Sequence, residues 1–389
     1  MSQIKDIYLE ICMSSVFRSV LSKPLFLHFA EYATANNIDE KIKAYAAMIS
    51  VVYQHGGSLT DAVMQTVFED ENVYIKSMAK GDEISPQLLA AAEHELIAFG
   101  RFASLTEDSF KVDMSVSYVS PFTSDCRDFC AEYKERIQNI SKYGYGVFSS
   151  YPMFRLDNDG SISPIISADK TTLDSFVGYA EERNLVIENT RAFTIGKPAA
   201  NVLLYGDAGT GKSSTVKAVA NAFFELGVRL IELRKDQLSA LPYVMGKISE
   251  NPLKFIIFID DLSFNKNDDN FSMLKAALEG SASAKSDNAV IYATSNRRHI
   301  VKETFDDREG GDVHRNDTMQ EKLSLSDRFG LSVHFGKPTK ILYLQIVHEL
   351  ALRYGVPSDQ DLDIKAEEFA LRRGNRSARC AEQFIKSLL

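Results

Sequence analysis

The sequence is short of several things, and each shortage closes a route. In 389 residues there is no tryptophan, which decides nothing, and there are only four cysteines. Cys12, Cys126, Cys130 and Cys380 are scattered, as expected of reduced intracellular thiols rather than a disulfide framework. Cys126 and Cys130 stand at i, i+4 in CRDFC, where a helix could point both at one metal, but no second pair lies near and the pattern falls short of a zinc site. No window approaches the roughly 18 uninterrupted apolar residues that a membrane-crossing helix requires. The opening MSQIKDIYLEICMSSVFRSV carries Asp6 and Glu10 where a signal peptide is basic and then apolar. These absences predict a cytoplasmic protein with no membrane partner. Positive charge is short too. The formal net charge is −9, so the overall field repels phosphate backbones and does not support nucleic acid as a partner unless a local basic patch exists.

What is present is a globular composition, 45% hydrophobic and 25% charged, in a chain long enough for two or three domains of roughly 150 residues. From Ile7 to about Tyr143 the apolar residues recur mostly at helical spacing, with breaks at Asn36-Asn37, Gly56-Gly57 and Gly81. Residues 1–143 read as a helical N-terminal domain without a catalytic motif, suited to docking a protein partner or another subunit. Residues 144–170 read as a hairpin and linker around the Asn158-Asp159-Gly160 turn. A calcium loop there fails, because Ile162 stands where glycine is needed and Ala168 where glutamate is needed. Residues 171–338 then alternate strands with helices, which predicts a parallel sheet, and residues 339–389 turn helical again. No internal repeat is visible.

GDAGTGKS, from Gly206 to Ser213, fits G-x-x-x-x-G-K-[ST] and lies between a predicted strand, ANVLLYG, and a predicted helix. Glycines let successive backbone N–H groups turn toward a phosphate, and the helix N-terminus adds its positive dipole end. Lys212 is placed to reach the β- and γ-phosphate oxygens, and Ser213 to ligate Mg²⁺. The expected nucleotide contacts are Gly206, Asp207, Ala208, Gly209, Thr210, Gly211, Lys212, Ser213 and Ser214. In FIIFIDD a buried strand delivers Asp260 and Asp261 at its tip. Asp260 is the expected second Mg²⁺ holder, directly or through water, at the end of a strand neighbouring the P-loop. Asp261 stands where many ATPases of this design have glutamate. It is one methylene shorter, so the backbone or the water it polarises must sit about 1.5 Å closer, which predicts a slower or more conditionally assembled site.

From about Leu173 to its end the chain resembles the AAA+ ATPases. LDSFVGYAEERNLVIENTRAFTIG looks like their lead-in segment, which implies that Val177 and Gly178 lie against adenine. ATSN looks like sensor 1, implying that Asn296 holds the attacking water or the γ-phosphate. LSDRFG resembles the stretch supplying an arginine finger, implying that Arg328 reaches a neighbouring subunit's nucleotide. GNRSAR resembles sensor 2, with Arg379 the best match and Arg376 its competitor. The implied fold is an αβα sandwich with a five-stranded parallel sheet, followed by a helical lid and preceded by the helical N-terminal domain. More narrowly, FIDDLSF, IYATSNRRH, DREGGDVH, NDTMQEKLSLSDRFGL and RRGNRSAR resemble the bacterial AAA+ family called domain of unknown function 815.

The resemblance implies a homo-oligomeric ATPase that uses ATP and Mg²⁺, with hydrolysis that is slow and gated by assembly, remodelling or loading a macromolecular partner. The alternative is a non-processive ATP-dependent switch of the helicase-loader type with little intrinsic turnover. A small-molecule kinase is disfavoured, because the Asn296, Arg328 and lid-arginine series has no purpose there. PYVMGK, from Pro242 to Lys247, resembles a substrate-gripping loop, but a packed helix end explains it as well. The charged segment FDDREGGDVHRNDTMQEK, from Phe305 to Lys322, reads as a solvated loop rather than a second metal site.

Overall fold

The computed structural model describes residues 3–263, 269–279, 287–296, 328–358 and 361–389. They form two compact units, Met1–Ser150 with Glu250–Pro252, and Tyr151–Ser249 with Leu253–Leu389.

The first unit is built from helices α1 (Gln3–Cys12), α2 (Pro24–Thr34), α3 (Ile38–Gln54), α4 (Leu59–Phe68), α5 (Val73–Lys80), α6 (Pro86–Ala103), α7 (Glu107–Met114), α8 (Phe129–Gln138) and α9 (Ile140–Tyr143). Their starts follow from short polar side chains. Asn37, Ser58, Asn72, Ser85 and Asp128 each accept a backbone N–H three residues further on, satisfying donors that a helix start leaves open. Asp128 opens α8 after Cys126, so Cys126 and Cys130 do not share a helix, and Cys130 Sγ donates to the Glu93 carbonyl instead. The core is aromatic: Phe29 stacks on Phe102 with ring centroids 3.9 Å apart, and Phe17 and Phe26 meet Phe99 edge to face. One buried carboxylate, Glu95, accepts the backbone N–H groups of Ser15, Val16 and Phe17, which offsets its desolvation.

The second unit carries a seven-stranded sheet of β1 (Met153–Leu156), β2 (Ile162–Pro164), β3 (Val202–Gly206), β4 (Val228–Leu233), β5 (Lys254–Ile259), β6 (Ala289–Ser295) and β7 (Leu331–Phe335). The order is β2-β1-β4-β5-β6-β3-β7, and every pair is parallel except β1 with β2. The five parallel strands expected from the sequence are present. The 153–164 hairpin adds two more, pairing Phe154 with Ile231, because Met153, Phe154 and Leu156 bury their side chains at that edge. Central parallel strands are apolar on both faces. Val202, Leu204, Ile256 and Phe258 meet Val186 and Phe193 of α10 (Ala180–Thr194) and Val216 and Val219 of α11 (Lys212–Ala222), while Leu203, Ile257 and Ile259 are buried on the other face. α12 (Leu241–Ile248) and α13 (Asp269–Glu279) complete the layers.

Three further helices, α14 (Lys340–Tyr354), α15 (Leu362–Arg373) and α16 (Ala378–Lys386), close around Tyr343, Ile346, Val347, Ala366, Phe384 and Ile385. Among the described residues no helix is long and apolar enough to cross a membrane.

Candidate functional site: a phosphate loop, an acid pair and a lid

In a parallel sheet the loops leaving the carboxyl ends of the strands share one edge, and ligands bind there. Here β3 leads into the glycine-rich loop, β5 into Asp260-Asp261 and β6 into Asn296. The acid strand is not the direct neighbour expected for the P-loop strand. β6 lies between β3 and β5, and its tip makes the connection.

Gly206 ends β3 at φ +131, and a Cβ there would lie 2.7 Å from the Phe335 carbonyl carbon and closer still to its oxygen. Only glycine fits that approach of β3 to β7. Asp207 N–H then donates to Phe335 O at 3.0 Å, and Thr210 Oγ1 donates to Asp207 O at 2.9 Å. Asp207 and Ala208 are exposed, Thr210 is buried, and Gly211 stands at the start of α11 before Lys212, Ser213 and Ser214.

Lys212 is 6% exposed, and Nζ donates to Gly206 O at 2.9 Å, Asp207 O at 2.7 Å and Asn296 Oδ1 at 3.2 Å. Desolvation lowers its pKa, opposed by the nearby carboxylates of Asp207, Asp260 and Asp261. Ser213 Oγ donates to Asp260 Oδ1 at 2.5 Å. Asn296 Nδ2 donates to Asp261 Oδ1 at 2.8 Å while its Oδ1 accepts from Lys212, so both ends of the amide are assigned by their partners. Lys212, Asn296 and Asp261 are thus one hydrogen-bonded chain, with Ser213 and Asp260 beside it. The hydroxyl and carboxylate oxygens offered by Ser213 and Asp260 suit Mg²⁺, which takes few protein ligands and completes its shell with water and phosphate oxygens.

Gly178 lies against Leu342 and Ile346 of α14, and Val177 packs on the lid core. Phe176, which the sequence reading passed over, approaches Gly211 on one side and carries the Arg183 guanidinium 5.1 Å from its ring centroid. The lead-in segment therefore runs between the phosphate loop and the lid. Tyr179 follows it and donates to Gly336 O at 2.6 Å; burial pushes its phenol up to about 12.

The lid touches the loop directly. The Arg379 amide donates to Gly209 O at 3.3 Å, and a Cβ on Gly209 would meet Ser377 Oγ at 3.1 Å. Arg376 faces elsewhere, in a two-pronged pair with Glu367 at 2.9 and 2.6 Å.

Arg328 is not at this edge. It precedes β7, beside the strand starts at Asn201, Lys254 and Ala289, in a groove of about 660 Å³. PYVMGK lies within α12, with Val244 and Ile248 buried and Tyr243 exposed. The segment from Phe305 to Lys322 lies outside the described residues.

A family described as "Protein of unknown function (DUF815)" matches residues 149–389, more than half of the chain. The chain belongs to the DUF815 family. This DUF815 chain is also 26% identical over 224 residues to Proteasome-activating nucleotidase 2 of Haloferax volcanii, covering 52% of this chain and 51% of that one. It therefore spans about half the length of that curated relative. Among solved structures, one point mutant of Thermotoga maritima RuvB is 19% identical, with 55% of this chain and 64% of that chain covered and a TM-score of 0.36. A second RuvB mutant is 15% identical, with 56% and 72% covered and a TM-score of 0.34.

Proposed function

We propose that this DUF815 chain binds Mg-ATP between the sheet edge and the lid, and hydrolyses it slowly when it assembles with copies of itself. The observation that carries this reading is the hydrogen-bonded set of Lys212, Asn296, Asp261, Ser213 and Asp260 at one edge of a parallel sheet. Lys212 leaves its carbonyl acceptors for the β- and γ-phosphate oxygens. Ser213 and Asp260 would hold Mg²⁺, which would supply positive charge against that of the phosphates. Asp261 and Asn296 orient the attacking water, and Asp261 takes its proton. Gly206 to Ser214 surround the phosphates, Val177 and Gly178 flank the adenine, and Arg379 faces the phosphates from the lid.

Arg328 sits on the far side of the sheet from its own phosphate loop, separated by the five residues of β7, or about 16 Å of strand. That placement supports a role in a neighbouring copy's site, and loss of an in-trans arginine typically reduces turnover by on the order of 10³-fold or more. The helical first unit would hold a protein partner, and the cycle would remodel or load it.

ADP release across a protein concentration series tests the reading. Turnover per subunit that rises with concentration, and disappears in both Asp261→Asn and Arg328→Ala, is the expected result. A second reading, a switch that binds ATP with almost no turnover, is favoured by the shorter acid at Asp261, held on a left-handed backbone. Tight binding without turnover at every concentration would select it. Absence of ATP binding would reject both.

A further inference from the structure

We infer that Thr294 is a positioning residue for ATP hydrolysis, holding both members of the Asp260-Asp261 pair through one buried hydroxyl; the inference rests on the hydrolysis reading above. Because β6 separates the P-loop strand from the acid strand, the tip of β6 is the sheet's own link between the acids and the phosphate loop, acting beside the direct Ser213–Asp260 hydrogen bond. Thr294 is at that tip and 2% exposed. Its Oγ1 donates to Asp260 Oδ1 at 2.5 Å and accepts the Asp261 backbone N–H at 2.9 Å. Its carbonyl accepts Leu262 N–H at 2.7 Å, and the next residue's Ser295 Oγ donates to Leu262 O at 2.8 Å. With Asn296 on the Asp261 carboxylate, three consecutive residues splint the acid turn.

The turn needs a splint because Asp261 is left-handed, at φ +50, where side-chain-bearing residues are disfavoured. Aspartate and asparagine enter that region more readily than other non-glycine residues. This accounts for an aspartate where a glutamate is common: the backbone geometry that Thr294 stabilises favours the shorter acid. Without the hydroxyl, Asp261 N–H keeps only its longer bond to Asp260 Oδ1, at 3.1 Å, and Asp260 loses a donor that fixes its rotamer.

Thr294→Val preserves the shape of the side chain and removes the hydroxyl, whereas Thr294→Ser keeps the hydroxyl and removes the methyl group. Each would be assayed for kcat and KM, and for affinity toward a fluorescent ATP analogue with and without Mg²⁺, alongside a thermal melt. For Thr294→Val we expect kcat to fall about 10- to 100-fold, the scale of one hydrogen bond to a charged group, with KM changed less than about threefold. The gain in nucleotide affinity brought by Mg²⁺ should shrink, and Thr294→Ser should restore both quantities to within about threefold of the wild type. Wild-type kcat and Mg²⁺ response in Thr294→Val would overturn the inference. So would equal loss in both variants, which would trace the effect to packing. A wild type that binds Mg-ATP but never turns it over defeats the hydrolysis reading alone, and the Mg²⁺ response of the variants still decides the role of Thr294.

Discussion

Replacing Gly206 by alanine tests the joint between the phosphate loop and the sheet. At φ +131 a side-chain-bearing residue is strained by about 1–3 kcal/mol. The new Cβ would also overlap the main chain of Phe335, which is fully buried and cannot rotate aside as a side chain would. Relieving that overlap moves the end of β7, at an overpacking penalty of about 1–3 kcal/mol. It also loosens the 3.0 Å bond from Asp207 N–H to Phe335 O, worth about 0.5–1.5 kcal/mol. Together these come to about 3–7 kcal/mol, against total stabilities of about 5–15 kcal/mol for ordinary domains. For a unit of this size each kcal/mol shifts the midpoint by about 2–4 °C, so Gly206→Ala should unfold about 6 to 28 °C earlier in a circular-dichroism melt. The control is Gly246→Ala, inside α12, where a Cβ meets nothing within 4 Å. It should leave the melt unchanged or raise it by the helix preference of alanine over glycine, about 0.5–1 kcal/mol. A Gly206→Ala midpoint within about 2 °C of the wild type, or an equal fall in Gly246→Ala, would refute this account of the joint.

Other expectations are more local. Mixing Lys212→Ala, which keeps its arginine but loses its own site, with Arg328→Ala, which keeps its site, should restore part of the turnover that each lacks; an inactive mixture of co-assembled chains would count against in-trans action. Arg379→Ala should weaken ATP binding about tenfold in an equilibrium titration, the loss expected of one charge-assisted contact, while Arg376→Ala should leave affinity unchanged. Arg376→Ala should instead lower the melting temperature, because its pair with Glu367 holds that carboxyl below its ordinary value of 4.5. A depressed carboxyl stabilises the fold fully above about pH 4.5 and loses that contribution as the pH falls through its folded value, so the gap between the wild type and Arg376→Ala should narrow in acid; a gap constant from pH 7 to pH 3 would exclude the ion pair as its source. Asp261→Glu should not raise kcat, since the longer acid must adopt the same left-handed backbone.

What could be read from the sequence was whatever is encoded locally. The spacing of GDAGTGKS, its place between an apolar strand and a helix, and the acids ending FIIFIDD are short-range patterns, and the structure draws Lys212, Ser213, Asp260, Asp261 and Asn296 together. The caps at Asn37, Ser58 and Ser85 are equally local, although of these three only Asn37 is named in the sequence reading. What escaped was set by long-range pairing. Nothing within residues 153–164 says that Phe154 will pair with Ile231, and nothing in either strand says that β6 will lie between β3 and β5. Arg376 pairs with Glu367 of the preceding helix, which no local pattern announces, and Thr294 was passed over because its contact is with an amide 33 residues away.

The contact between Arg379 and Gly209 has a mechanical consequence. A hydrogen bond joins the glycine-rich loop to the first turn of α16, a rod of nine residues and about 13 Å whose far end is buried in the lid at Phe384 and Ile385. A rod gripped at both ends cannot absorb a displacement; it must transmit it. On the proposed ATP-binding reading, a displacement of Gly209 would reach α16 and, through Phe384 and Ile385, the packed helices of the lid. On that reading the lid would be the needle of a gauge whose spring is the phosphate loop.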